Sequence, residues 1–193
     1  MVVDGRGVVE VLSSTFLNNS ATEAGGLLLD GNFTANITGS LFQGNKAVEK
    51  GGAFVVDVSA WDYHTDFLDN VSGGSGGALS VSGDGASLIL LGGLFQGNEA
   101  SRRLFGNTNS FTGGALDADW GGNATLSGVR FSENTADDGG GAVSVAHGAH
   151  LASLDCSFNL NRAGWEGGAI TWGANTSGSV TGGVLEENTV RWG

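Results

Sequence analysis

Proline is absent from this 193-residue chain, and Cys156 is its single cysteine. Without proline, the abundant glycine signals neither a collagen repeat nor a proline-rich linker. One cysteine allows no intrachain disulfide framework and leaves the redox compartment open. Basic residues are scarce, 8 against 20 acidic ones, for a net charge of −12. A surface of that sign repels phosphate backbones and anionic lipid, which disfavours nucleic acid and membrane surfaces as partners. No apolar run approaches the ~18 residues that span a bilayer, so membrane insertion by this segment is not expected. Met1-Val2-Val3-Asp4-Gly5-Arg6 does not open like a signal peptide, so the expectation is either that the protein is not exported this way or that a leader lies outside this chain.

What the chain has in excess is glycine, 36 residues in all, beside ten phenylalanines and an apolar share of 40 %. The apolar content is too high for a disordered glycine-rich tail, and the glycine too high for long helices. The glycines recur in register. The tetrad F-x-x-N begins at Phe16, Phe42, Phe67, Phe95, Phe131 and Phe158, with a variant at Leu185. Its asparagines are Asn19, Asn45, Asn70, Asn98, Asn134, Asn161 and Asn188. A second motif, G-G-[AL]-apolar, follows each of the first six tetrads, with second glycines Gly26, Gly52, Gly77, Gly114, Gly141 and Gly168. From Asn to second Gly is 7 residues in five units and 16 in the fourth, which places an insertion within residues 101–111.

Units of 25–28 residues containing short alternating runs and glycine or asparagine turns predict strands, not helical or leucine-rich repeats. Three short strands and three turns then fill one coil of a parallel β-helix. Alternation places Leu28/Asp30, Phe54/Val56, Leu79/Val81, Leu116/Ala118, Val143/Val145 and Ile170/Trp172 inside, with Asp30 a misfit. It leaves Leu29, Val55, Ser80, Asp117, Ser144 and Thr171 on a solvated face, a ladder too mixed for an ice-binding threonine array. Coils stack ~4.8 Å apart, so the Phe positions and Leu185 predict an interior aromatic column. The Asn positions predict an amide ladder at a turn where asparagine accepts left-handed φ. The paired glycines suit positive φ or a close approach of backbones.

The alternation of F-x-x-N with G-G-A-[ILV] resembles the repeats of the chlamydial polymorphic outer-membrane proteins, from Phe16 to Asn188. The resemblance implies a right-handed parallel β-helix passenger displayed at the cell surface, with a role in adhesion to host cells. No segment of the family's membrane barrel is present, so self-transport does not carry over. The expectation is therefore an all-β, right-handed, single-stranded parallel β-helix over 1–193, of six to seven coils, forming part of a longer solenoid.

The chemistry-bearing residues are few. Asp117 and Asp119 flank Ala118 on one strand, and Asp57 lies two coils earlier in the register of Asp119. These are the residues a polysaccharide lyase or hydrolase on this fold would use, although no Arg or Lys occupies an adjacent strand position. Asp137-Asp138, Glu23 and Glu49 fall in turns and suit at most weak surface Ca²⁺ binding; no other cofactor is expected. His64, His147 and His150 lack ligand partners and read as surface residues, and Cys156 as a small buried thiol. Asn32, Asn36, Asn123 and Asn175 are candidate glycosylation acceptors beside the turn after the first strand of their coils. The insertion brings Arg102, Arg103, Phe105 and Phe111 together as a candidate binding loop. The expected function is that of a non-catalytic, extracellular or cell-surface, structural or adhesive β-helix that binds a protein or glycan. The alternatives are a carbohydrate-active enzyme and an end-to-end filament subunit.

Overall fold

The computed structural model describes residues 1–3, 6–102 and 112–192. All regular structure among them is β, arranged as four parallel sheets of seven strands each. The chain visits the sheets in order once per coil. In the third coil, sheet 1 receives Phe54–Val56, sheet 2 Ser59–Tyr63, sheet 3 Asp66–Leu68 and sheet 4 Val71–Ser72. Each strand pairs with its counterparts one coil away, as Phe67 does with Phe42 and Phe95. The result is a parallel β-solenoid of about six turns.

Each coil carries four strands instead of the expected three, because the F-x-x-N tetrad bends in its middle. The residue before the asparagine has left-handed φ in every coil: Asn18 (54°), Gly44 (65°), Asp69 (55°), Gly97 (65°), Glu133 (59°), Leu160 (57°) and Glu187 (53°). The corner conformation therefore falls one place earlier than the asparagine, which is left free to bond. Two further corners are made the same way. Between sheets 2 and 3 the left-handed residue is Ser13, Gly39, His64, Gly92, Gly128, Asp155 or Gly182. Before sheet 1 it is Ala24, Gly51, Gly76, Gly113, Gly140 or Gly167.

That last series separates the jobs of the two glycines. The first supplies the positive φ; the second has no room for a side chain. A Cβ on Gly52, Gly77, Gly114 or Gly141 would be driven into the carbonyl oxygen of the corresponding glycine in the next coil. The first unit is shifted by one residue from the expected frame. Leu27 and Leu29 pair with Phe54 and Val56, so both are buried and Asp30 is exposed. Gly25, not Gly26, is the counterpart of Gly52, and Gly26 takes the place of Ala53. The outward ladder Val55, Ser80, Asp117 and Ser144 is also buried instead of solvated, because the segment entering sheet 1 folds back over it. Thr112, for example, donates to Asp117 Oδ1 at 3.3 Å.

Inside the coil, Phe16, Phe42, Phe67, Phe95, Phe131 and Phe158 stack at centroid spacings of 4.4, 5.0, 4.5, 4.9 and 4.9 Å. Leu185 pairs with Phe158 in the next coil but is 52 % exposed, and Trp172, also expected inside, is 40 % exposed, because no further described coil stacks on the one that holds Leu185. Burying each ring stabilises by about 2–3 kcal/mol. Beside this column runs the amide ladder. Asn98 Oδ1 accepts from the Asn70 backbone N–H and from Asn70 Nδ2, both at 3.0 Å. Asn98 Nδ2 donates forward to Asn134 Oδ1 at 2.9 Å and back to the Phe67 carbonyl at 2.9 Å. The same pattern links Asn45 through Asn161, so these buried amides use both donors and both acceptor sites.

One interior place breaks the pattern. Asp62 lies between Ile37 and Leu90 in sheet 2, is fully buried, and neither carboxylate oxygen has a hydrogen-bond partner among the described residues. Desolvation pushes its pKa up to about 7, against a smaller opposing pull from Thr65. Its stabilising contribution is thus full below pH ~4 and is lost as pH rises through about 7.

Two substitutions test these assignments. Asn98→Ala leaves the Asn70 donors and the Phe67 carbonyl unpaired and should cost about 3–6 kcal/mol in urea unfolding; a cost under ~1 kcal/mol contradicts the ladder's role. Asp62→Val should raise the urea midpoint at pH 8, the gain shrinking towards pH 4. Equal gains at both pH values would show that Asp62 is not titrating in the folded chain.

Candidate functional site

The outer face of sheet 1 carries a groove of about 470 Å³ that includes Lys50, Ser75, Asp117, Asp119, Trp120 and His147 in its walls. Two equivalent corners build its end. Trp120 and His147, one rung apart, both have left-handed backbones (φ 47° and 44°), which turn both side chains outward. Their rings stack at 4.7 Å and 12°. His147 Nδ1 lies 2.7 Å from Asp119 Oδ1, which also accepts from the Trp120 N–H at 2.8 Å. The carboxylate therefore fixes the imidazole, and the imidazole backs the indole, which is 63 % exposed.

Along the strand, Asp117 lies beneath the groove with only 4 % exposure. Burial pushes its carboxyl up to about 7, the Asp119 charge adds to the shift, and bonds from Ser144 and Thr112 oppose it. At the other end, Lys50 Nζ sits 3.9 Å from Asp57 Oδ1 and 4.0 Å from Glu23. Asp57 is raised as well, mainly by desolvation and against the pull of Lys50. A cation therefore does stand beside Asp57, though not beside Asp117 or Asp119: Lys50 reaches it from the turn before the strand, where strand register alone does not show it. His147 is likewise a partner of Asp119. The signal for it was a spacing of 27 residues from Trp120, one coil, continued past the end of the strand.

Other candidates are dispersed. Among the described residues no group of three or more His, Cys, Asp or Glu is placed to hold a metal ion. Asp137 and Asp138 engage Arg102, with Arg102 Nη2 2.7 Å from Asp138 Oδ1. Of the candidate loop only Arg102 is described; Arg103, Phe105 and Phe111 lie outside the described residues. Asn32 and Asn36 lie within the strand Asn32–Thr38, Asn123 opens the strand Asn123–Ser127, and Asn175 is exposed in a turn with φ 60°. Cys156 is buried, its thiol 3.4 Å from the Leu154 carbonyl, and His150 Nδ1 lies 2.9 Å from Ser177 Oγ.

The coil that ends in His147 also holds one complete pair of the repeated motifs, Phe131–Asn134 and Gly140-Gly141-Ala142-Val143. Residues 128–146 match the Chlamydia polymorphic membrane protein repeat. No curated protein and no solved structure matches the chain. The matched repeat thus spans the sheet 3, sheet 4 and sheet 1 strands of one turn of the solenoid, its Phe and Asn facing inward and its glycines at the corner before sheet 1.

Asp117 should titrate near pH 7 in carboxyl-carbon NMR, and Asp117→Asn should flatten the loss of stability as pH rises from 5 to 8. An Asp117 carboxyl that titrates near 4 contradicts the desolvated placement.

Proposed function

We propose that this chain is a surface-associated β-helix that binds a neutral glycan in the sheet 1 groove without altering it. Surface association is supported by the polymorphic-membrane-protein-type repeat. The observation that carries the ligand class is Trp120: an exposed indole held rigid by His147 and Asp119 at the end of a polar groove. A flat aromatic face stacks on the apolar face of a sugar ring, while neighbouring carboxylate and ammonium groups meet its hydroxyls. The rigid solenoid supplies the preorganisation, since little side-chain entropy remains to be lost on binding.

A second reading, hydrolysis of a polysaccharide, is favoured by one observation. Asp117 and Asp119 are two places apart and so on the same face of one strand, and burial raises the Asp117 carboxyl to about 7, so two neighbouring carboxyls differ in protonation as a glycosidase acid and base must. Asp57, two rungs from Asp119, is too distant to replace either.

Glycan arrays and isothermal titration test both. Binding to neutral oligosaccharides should fall at least tenfold in Trp120→Ala, with the thermal midpoint unchanged. Unaltered affinity would remove the groove from the function. Release of reducing ends by the wild type, abolished in Asp117→Asn, would establish the second reading in place of the first.

A further inference from the structure

The eight basic side chains of this acidic chain are not evenly placed. Arg102, Arg162 and Arg191 all line a continuous surface on the outside of sheet 4. There a hollow of about 270 Å³, with Thr135, Arg162, Arg191 and Trp192 among its walls, adjoins one of about 300 Å³ lined by Arg102, Asp137, Trp165 and Trp192. Register explains the grouping. Arg162 pairs with Thr189 at the edge of sheet 4, and Arg191 follows one rung on, its N–H donating to the Ala163 carbonyl. Trp192 occupies the rung after Trp165, its N–H donating to Gly164. Both indoles are largely exposed, 64 % for Trp165 and 61 % for Trp192.

The charges are resolved along this surface. Asp137 and Asp138 are compensated by Arg102, through contacts of 3.7 and 2.7 Å. Arg162 and Arg191 make no ion pair with any described residue, and both are exposed. Glu99, the remaining acid of the first hollow, stands two rungs from Arg162, ~9.6 Å along the ladder. A chain with net charge −12 thus presents two uncompensated guanidinium groups in neighbouring coils, beside two exposed indole faces.

We propose that this surface is a second binding site, distinct from the sheet 1 groove, for an anionic glycan whose carboxylate or sulfate groups pair with Arg162 and Arg191 while sugar rings lie against Trp165 and Trp192. Guanidinium forks match carboxylate and sulfate oxygens, and indole faces accept the apolar side of a pyranose. The rung repeat of ~4.8 Å is of the order of one sugar unit in an extended chain, so successive residues of a polysaccharide can meet successive coils. Long-range repulsion by the remaining acidic surface opposes a densely phosphorylated polymer, which favours a sparser polyanion.

The test is titration of the full 193-residue chain with a chondroitin sulfate oligosaccharide, an oligogalacturonate and an uncharged oligosaccharide of equal length. One of the two anionic ligands should bind, weakening as salt rises, and the arm that binds identifies sulfate or carboxylate as the recognised group. The Arg162→Gln/Arg191→Gln double variant should lose at least tenfold in affinity, and Arg162→Lys should recover only part of it. Trp192→Ala should weaken binding, while Trp120→Ala should leave it unchanged, which separates this site from the sheet 1 groove. Circular dichroism and the thermal midpoint should stay at wild-type values in every variant. Binding of neither anionic ligand would overturn the proposal, as would unchanged affinity in the folded double variant. Equal binding of an acidic peptide would overturn the assignment to a glycan.

Discussion

The structure depends on one constraint: each corner of a coil must bend sharply while every backbone group inside it stays paired. The asparagine ladder meets that demand at the corner between sheets 3 and 4. Its amide caps the phenylalanine carbonyl of the coil before and ties itself to the next asparagine. The bend itself falls to the preceding residue, whose left-handed backbone leaves the asparagine oriented into the stack. An aliphatic side chain of similar size would fill the space and leave three buried polar groups without partners. This is why the residue recurs while its predecessor varies among Asn, Gly, Asp, Glu and Leu.

With the rungs locked in register, the remaining features follow. The aromatic column fills the space that the amide ladder leaves, and the second glycine of each pair lets one coil's backbone lie against the carbonyl of the next. The two proposed sites then rest on what the same geometry does outside. Residues that are 27 apart become neighbours at one rung spacing, so Trp120 meets His147 and Trp165 precedes Trp192. At Trp120 and His147 two left-handed corners in neighbouring coils present two rings side by side.

The fold was legible because the same side chain fills the same interior place in each coil, and a repeated environment leaves a repeated letter. Legibility failed where the motif and the backbone part company. Gly25-Gly26-Leu27 reads like Gly51-Gly52-Ala53, yet Ala24 already makes the left-handed corner, so the pairing is one residue earlier. The fourth strand was hidden because left-handed φ at Glu133 or Leu160 leaves no compositional mark. Asp117 was placed on a solvated face by strand alternation, which is blind to the segment that folds over it. Asp117 and Asp119 were visible as a pair on one strand; His147 beside Asp119 and Lys50 beside Asp57 were not, because both come from turns whose direction no periodicity encodes.

Hydrogen exchange of the side-chain amides of Asn70, Asn98 and Asn134, followed by NMR beside the backbone amides of their strands, tests the central claim most directly. The account predicts that these Nδ2 protons exchange only when the whole solenoid opens, with the same free energy as the most protected backbone amides. Exchange at the rate of exposed amides, while the backbone stays protected, would contradict it.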